Sequence, residues 1–271
     1  MIFMLQETLT TLSLPYPNRK NRTVRVFVPA HEEGETFPVI YMTDGQNLFD
    51  DEKVKFGCWY TRETVRDEIR NSGNGVIIVG IHNDEDDMQR TKELTPKSIG
   101  NPIMPLDMPE EIQKQLSPEG EIFDDFLIHT VMPAVEKQFP VKTGRNNTAF
   151  CGSSCGGMMA FFTAVNHPDI YCLSGVFSPV FFVYQPDDLK NWVQKKITDT
   201  MPYLYIYTGG GDDLEKQICQ SVEVTYDMLM ECYPMQKLNE VIMPRYKHHE
   251  TAWEPIFKDF LHTFLSRKDE F

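Results

Sequence analysis

Positive charge is scarce in this sequence: 26 Lys and Arg stand against 40 Asp and Glu in 271 residues, a net charge of −14. Binding DNA or RNA requires a basic face that neutralises phosphates, so this balance argues against a nucleic-acid partner. It argues more weakly against anionic membranes and strongly anionic ligands. Long apolar runs are also missing. The longest reach about eight residues, far below the ~20 needed to span a bilayer, so no membrane partner is expected. Cysteine is sparse and scattered: Cys58, Cys151, Cys155, Cys172, Cys219 and Cys232 form no Cys-x-x-Cys pair. That pattern reads as reduced thiols in a cytoplasmic protein, not as a disulfide framework or a zinc site. The opening Met1-Ile2-Phe3-Met4-Leu5-Gln6-Glu7 lacks the basic and apolar regions of a signal peptide.

What is present looks like an ordinary globular domain, with 41% hydrophobic and 24% charged residues. Short apolar runs rich in β-branched residues alternate with helical patterns. Strands are expected at 23–28, 37–43, 76–81, 148–151, 172–177, 203–208 and 240–243. Helices are expected at 60–71, 121–139, 158–166, 215–232 and 251–266. Runs such as Val76-Ile77-Ile78-Val79 read as parallel strands covered on both faces. The alternation predicts an α/β fold, one mostly parallel sheet of about eight strands with helices on both sides, in a single domain spanning 1–271. The short loop 31–36 predicts that the strands it joins form an antiparallel pair at the sheet edge. Residues 96–118 hold five prolines (Pro96, Pro102, Pro105, Pro109 and Pro118). A connection of that length suggests either a surface excursion or a cap over a pocket.

The segment Gly152-Ser153-Ser154-Cys155-Gly156 matches Gly-x-Ser-x-Gly. Alone the match is weak, but an apolar strand pattern feeds into it and a helical pattern leaves it, which is the setting of a nucleophile elbow. The serine of such an elbow sits in a strained turn, so small residues must flank it where strand and helix pass closely. Ser154 is the nucleophile by register. The N–H of Cys155 opens the following helix and can face a developing oxyanion.

In this arrangement the acid and then the histidine follow the serine. His248 and His249 fall between the last strand and the last helix, where a general base can reach the serine, and chemistry alone leaves the two open. Asp212 and Asp213 follow the strand at 203–208 and both qualify as the acid. There is no His-Gly-Gly-Gly motif. The loop Asp44-Gly45-Gln46-Asn47-Leu48-Phe49 after the second strand can instead offer the N–H of Gln46 as an oxyanion donor.

Several motifs occur in order: this loop; Val79-Gly80-Ile81; Arg90-Thr91-Lys92-Glu93-Leu94-Thr95-Pro96; the elbow; His167-Pro168-Asp169; Leu173-Ser174-Gly175-Val176-Phe177-Ser178-Pro179; and His248-His249-Glu250-Thr251-Ala252-Trp253. Over roughly 23–264 the chain resembles the esterase D-like group of α/β-hydrolases. That group includes S-formylglutathione hydrolases, feruloyl, acetyl-xylan and enterochelin esterases, and mycolyltransferases. The resemblance implies an α/β-hydrolase fold and a serine esterase acting through an acyl-enzyme on a small acyl or aryl ester, an acylated sugar among the candidates. An acyltransferase with the same triad and an inactive binding protein are the alternatives. The His-x-Glu-x-x-Trp pattern implies His248 as the base. Counting from Gly209 implies Asp212 as the acid, with Asp213 one residue away because Gly-Gly-Gly replaces the group's Gly-Thr-x. Asp44, Trp59, Arg90 and Trp253 are candidate substrate-binding residues, and Tyr60, Phe181, Phe182, Tyr184 and Trp192 could line an aryl or sugar pocket. No metal or organic cofactor is implied, and a homo-oligomer stays open.

Overall fold

The computed structural model describes residues 6–49, 57–103 and 117–271. Eight strands form one sheet: β1 (Thr8–Leu14), β2 (Arg22–Val28), β3 (Val39–Met42), β4 (Ile77–Ile81), β5 (Thr148–Ser153), β6 (Leu173–Phe177), β7 (Tyr203–Thr208) and β8 (Leu238–Ile242). Their spatial order is β1-β2-β4-β3-β5-β6-β7-β8. The β1–β2 and β2–β4 pairs are antiparallel, and every other pair is parallel.

Helices cover both faces: α1 (Thr61–Ser72), α2 (Asp87–Glu93), α3 (Gly120–Phe126), α4 (Met132–Gln138), α5 (Cys155–Asn166), α6 (Pro186–Lys196), α7 (Asp213–Cys232) and α8 (Glu250–Arg267). A π-helical turn, Leu127–Val131, joins α3 to α4. It adds one residue to a helical turn and so shifts the register between the two helices.

The central strands alternate between two apolar layers. Leu204 and Ile206 of β7 face one core and Tyr205 and Tyr207 the other. Both faces are buried, so β4 is buried along its whole length. The parallel strands send their C-terminal ends to one edge of the sheet, where doubly wound folds place their sites.

The expected pairing of the strands around the 31–36 loop does not occur. β2 pairs with β1 and β4, and β3 lies between β4 and β5. β2 is an antiparallel partner of β4 because β1, absent from the sequence reading, takes the edge. Of the expected cap, residues 104–116 lie outside the described residues. The flanking part is fixed to the body: Ile103 N–H donates to the Val183 carbonyl at 2.7 Å, and Tyr184 Oη donates to the Pro96 carbonyl.

Candidate active site

β5 ends at Ser153, and α5 begins at Cys155. Ser154 between them has φ 60° and ψ −125°, a conformation that costs a non-glycine residue energy and persists only where the surroundings enforce it. The surroundings are tight. A Cβ on Gly152 would lie 2.4 Å from the Gly156 carbonyl oxygen and 2.5 Å from Thr43 Oγ1. One on Gly156 would lie 2.2 Å from the same hydroxyl, and one on Gly157 2.4 Å from the Phe177 carbonyl oxygen. The small residues of the elbow are therefore required by close packing, Gly152 and Gly157 against backbone and Gly156 against the Thr43 side chain. The first N–H groups of α5 have no intrahelical acceptor and lie beside Ser154.

His248 precedes α8. Its backbone N–H donates to Asp212 Oδ2 at 2.9 Å, and its Nδ1 lies 3.1 Å from Glu215 Oε1. A carboxylate only accepts, so Nδ1 carries the hydrogen and Nε2 is left with its lone pair. Glu215 is fully buried. It also accepts from Ser178 Oγ at 2.6 Å, from Thr208 Oγ1 at 3.2 Å and from the Gly209 N–H at 3.2 Å. Ser178 in turn accepts from Trp253 Nε1 at 2.9 Å, and the Trp253 ring packs at right angles to His248, 5.1 Å between centroids. His248, Glu215, Ser178 and Trp253 thus form a closed ring of contacts that fixes the imidazole.

The acid candidates Asp212 and Asp213 hold groups other than the imidazole. Asp212 caps α7, accepting the Glu215 N–H at 2.9 Å, and holds the backbone of His248 instead of its ring. Burial works against its ionisation, but the N–H groups of Glu215 and His248 hold it below the usual carboxylate range. Asp213 points outward to Lys216. The carboxylate on the ring is Glu215, one helical turn further on. Its sequence signal was the Asp-x-x-Glu spacing of a helix start. In such a start the glutamate of the first turn can fold back toward the chain entering the helix, and here it reaches Gly209 and His248. His249 is not at the ring site either; its Nδ1 accepts the Thr251 N–H at 3.2 Å and caps α8.

The Asp44–Asn47 loop forms the opposite wall. Asp44 is left-handed at φ 53°, and Arg90 of α2 grips its carboxylate with two bonds, of 2.6 and 2.8 Å. Burial disfavours the Arg90 charge, but Asp44 more than compensates and keeps the guanidinium protonated. On the same helix Glu93 accepts from Arg22 at 2.7 Å in a buried pair, which anchors α2. A Cβ on Gly45 would lie 2.4 Å from the Gly80 carbonyl carbon, so the loop rests directly on β4. Asn47 Nδ2 donates to Glu250 Oε1 at 3.0 Å.

Between these walls is a cleft of ≈ 570 Å³ that Ser154, Gln46, His248 and Trp253 line together with Asp44 and Arg90. Its described lining is polar almost throughout, including Asp84, Glu85 and Asp87 on the outer wall. His82, also in the wall, is pushed down to about 4 by burial and by Arg25 and Arg22, so it is neutral near pH 7. Of the aromatic residues that could line an aryl or sugar pocket, none is in this described lining. Trp59 is buried, stacked on Phe177 at 5.4 Å, and Phe181, Tyr184 and Trp192 belong to the opposite apolar layer. Asp44 and Arg90 line the cleft but engage each other, and Trp253 supports His248. Among the described residues no group of three or more His, Cys, Asp or Glu side chains is arranged to hold a metal ion.

A family model described as "Putative esterase" matches residues 17–255. The chain belongs to this esterase family. It is a carboxylic ester hydrolase with an α/β-hydrolase fold. No curated protein matches the esterase's sequence. Among solved structures it is similar in fold to an IroE-like serine hydrolase from Shewanella oneidensis, with 18% identity, a TM-score of 0.69, and coverage of 96% of this chain and 80% of that one. A CE1 ferulic acid esterase from Anaeromyces mucronatus, solved in complex with ferulic acid, shows 20% identity, a TM-score of 0.67, and coverage of 97% and 92%. The siderophore hydrolase EstB from Aspergillus nidulans shows 18% identity, a TM-score of 0.68, and coverage of 96% and 95%. Among the described residues no helix is long and apolar enough to cross a membrane.

Proposed function

We propose that the esterase works through a covalent acyl-enzyme, with Ser154 as nucleophile, His248 as general base and then acid, and Glu215 as the carboxylate that orients His248. The observation that carries this reading is the 3.1 Å contact between His248 Nδ1 and the buried Glu215, in a cleft shared with the strained Ser154. Ser154 Oγ attacks the ester carbonyl and passes its proton to His248 Nε2. The N–H groups of Gln46 and Cys155 hold the oxyanion, an interaction that strengthens as charge develops. His248 returns the proton to the departing alcohol, and Glu215 stabilises the imidazolium in between. Water, deprotonated by His248, then attacks the acyl-enzyme and releases the acid and free Ser154.

The substrate that suits this cleft is a small, polar, neutral ester, an acylated sugar among the candidates. Two observations support it. Arg90 is neutralised by Asp44, and the outer wall carries Asp84, Glu85 and Asp87, so nothing there favours an anion. Ferulic acid esterases and siderophore hydrolases share the fold, and the polar lining weighs toward the hydroxyl-bearing part of a substrate rather than an aryl group. Ser154→Ala is expected to abolish p-nitrophenyl butyrate hydrolysis and fluorophosphonate labelling while the protein stays folded by circular dichroism. Retained turnover would defeat the mechanism. A panel of acetyl-sugar, feruloyl and short-chain acyl esters, run with and without an acceptor alcohol, ranks the substrates and separates hydrolysis from acyl transfer.

A further inference from the structure

The Ser154 mechanism needs two elements of different origin in register: the oxyanion loop after β3 and the segment that carries His248 before α8. The loop is fixed to the sheet by Gly45 on Gly80 and to α2 by Asp44 on Arg90. Neither contact says where His248 stands. A third contact does. Asn47 is buried, at 6% exposure, and its Nδ2 donates to Glu250 Oε1 at 3.0 Å, across 203 residues of sequence. Glu250 is 5% exposed and is the first residue of α8, two positions after His248. The Asn47 backbone is held as well, with its N–H on the Asp44 carbonyl at 2.8 Å and its carbonyl on the Trp59 N–H at 2.9 Å. Gln46, the proposed oxyanion donor, is therefore clamped between Gly45 and Asn47.

We propose that Glu250 is a positioning residue: through Asn47 it registers the oxyanion loop, and with it the Gln46 N–H, against the segment that carries His248. This rests on the acyl-enzyme reading. The bond, 3.0 Å long, joins an amide donor to a carboxyl group in a buried setting, where leaving either partner unmatched is costly. The carboxylate is held at a cost. Burial pushes it up to about 7, Asp44 adds to that shift, and Arg90, the Asn47 amide and the helix N-terminus oppose it. His248 and His249 are its titratable neighbours along the chain.

The test uses isosteric swaps that keep the fold. Asn47→Asp removes the donor and sets two acceptors face to face. Its kcat on p-nitrophenyl butyrate is expected to fall 10–100-fold, with KM within about threefold of wild type, because an oxyanion donor acts in the transition state more than in the ground state. Glu250→Gln keeps an acceptor for Asn47 and is expected to stay within about fivefold of wild type. Combining Asn47→Asp with Glu250→Gln rebuilds the bond in reverse, amide of 250 to carboxylate of 47, and is expected to recover most of the lost kcat. An Asn47→Asp variant as active as wild type, or a double variant no better than Asn47→Asp alone, overturns the proposal. Ser154→Ala run alongside separates the two readings: turnover surviving there removes the mechanism itself, whereas the swap series removes only the role of Glu250.

Discussion

Glu215 serves several groups with two oxygens: the ring of His248, the hydroxyls of Ser178 and Thr208, and the N–H of Gly209. Asp212 holds only backbone, the N–H groups of Glu215 and His248. The two carboxylates should therefore fail differently. Glu215→Gln is expected to lower kcat by about 10³-fold or more, as when a triad loses the carboxylate that sets the histidine tautomer. Asp212→Asn should lose less than tenfold in kcat and about 1 kcal/mol of stability through the weakened helix cap. Steady-state kinetics and thermal melts of the pair check this, and equal kinetic losses would return the acid role to Asp212. Between His248 and His249 the residues alone did not choose, and the family pattern singled out His248; Ser154 was legible as a candidate because a turn dictates the spacing of the elbow. Glu215 was not, because its role comes from a side chain folding back over its own helix start, and counting from Gly209 stops at the residue that caps that start. Glu250 adds a pH dependence. Its carboxyl titrates near 7 when folded, against an ordinary 4.5, so the folded chain binds this proton more tightly than the unfolded chain. Its contribution to stability falls as pH rises between those values. Glu250→Gln removes that loss, and its melting temperature should exceed wild type by more at pH 8 than at pH 5. A gap constant across that range would contradict the assigned shift.

At the scale of elements, the central strands were readable because burial on both faces leaves a continuous apolar run, as in β4 and β5. β1 was not, since one of its faces is open and only Leu9, Leu12 and Leu14 mark it among polar residues. Pairing was less legible than existence: the 31–36 loop is short enough for a hairpin, yet the partner of β2 is decided by contacts distant in sequence. The same distance hides why Val79-Gly80-Ile81 and the oxyanion loop occur together. Gly80 is a seat for Gly45, whose added Cβ would also lie 2.6 Å from the Gly80 carbonyl oxygen. Gly45→Ala must lift the loop, and kcat is expected to fall by at least about tenfold, the loss of part of one oxyanion donor. Circular dichroism with kinetics separates this from unfolding, and undiminished kcat would show that the loop can shift without harm.

Over the whole molecule, the charge of −14 and the acidic outer wall of the cleft act in the same direction. For the hemisuccinate analogue of p-nitrophenyl butyrate, kcat/KM is expected to be lower than for butyrate at low ionic strength and to rise toward it with added salt, as screening shortens the reach of the surface charge. A salt-independent ratio would show that the field does not reach the acyl group. The alternation of strands and helices made the α/β architecture visible from the sequence, because every crossover must return across the sheet. The polarity of the cleft was not visible, since it depends on which aromatic residues the two apolar layers absorb.

The contact of Gly45 on Gly80 also bears on how this enzyme can change. Backbone seated on backbone leaves no side chain for selection or engineering to adjust, and Gly152 and Gly157 of the elbow are confined in the same way. New specificity is cheapest to reach where side chains instead of backbone wall the cleft, along its outer rim at Asn83 and Glu85. Libraries aimed there can alter which ester is accepted, while the oxyanion loop and Ser154 are inherited unchanged.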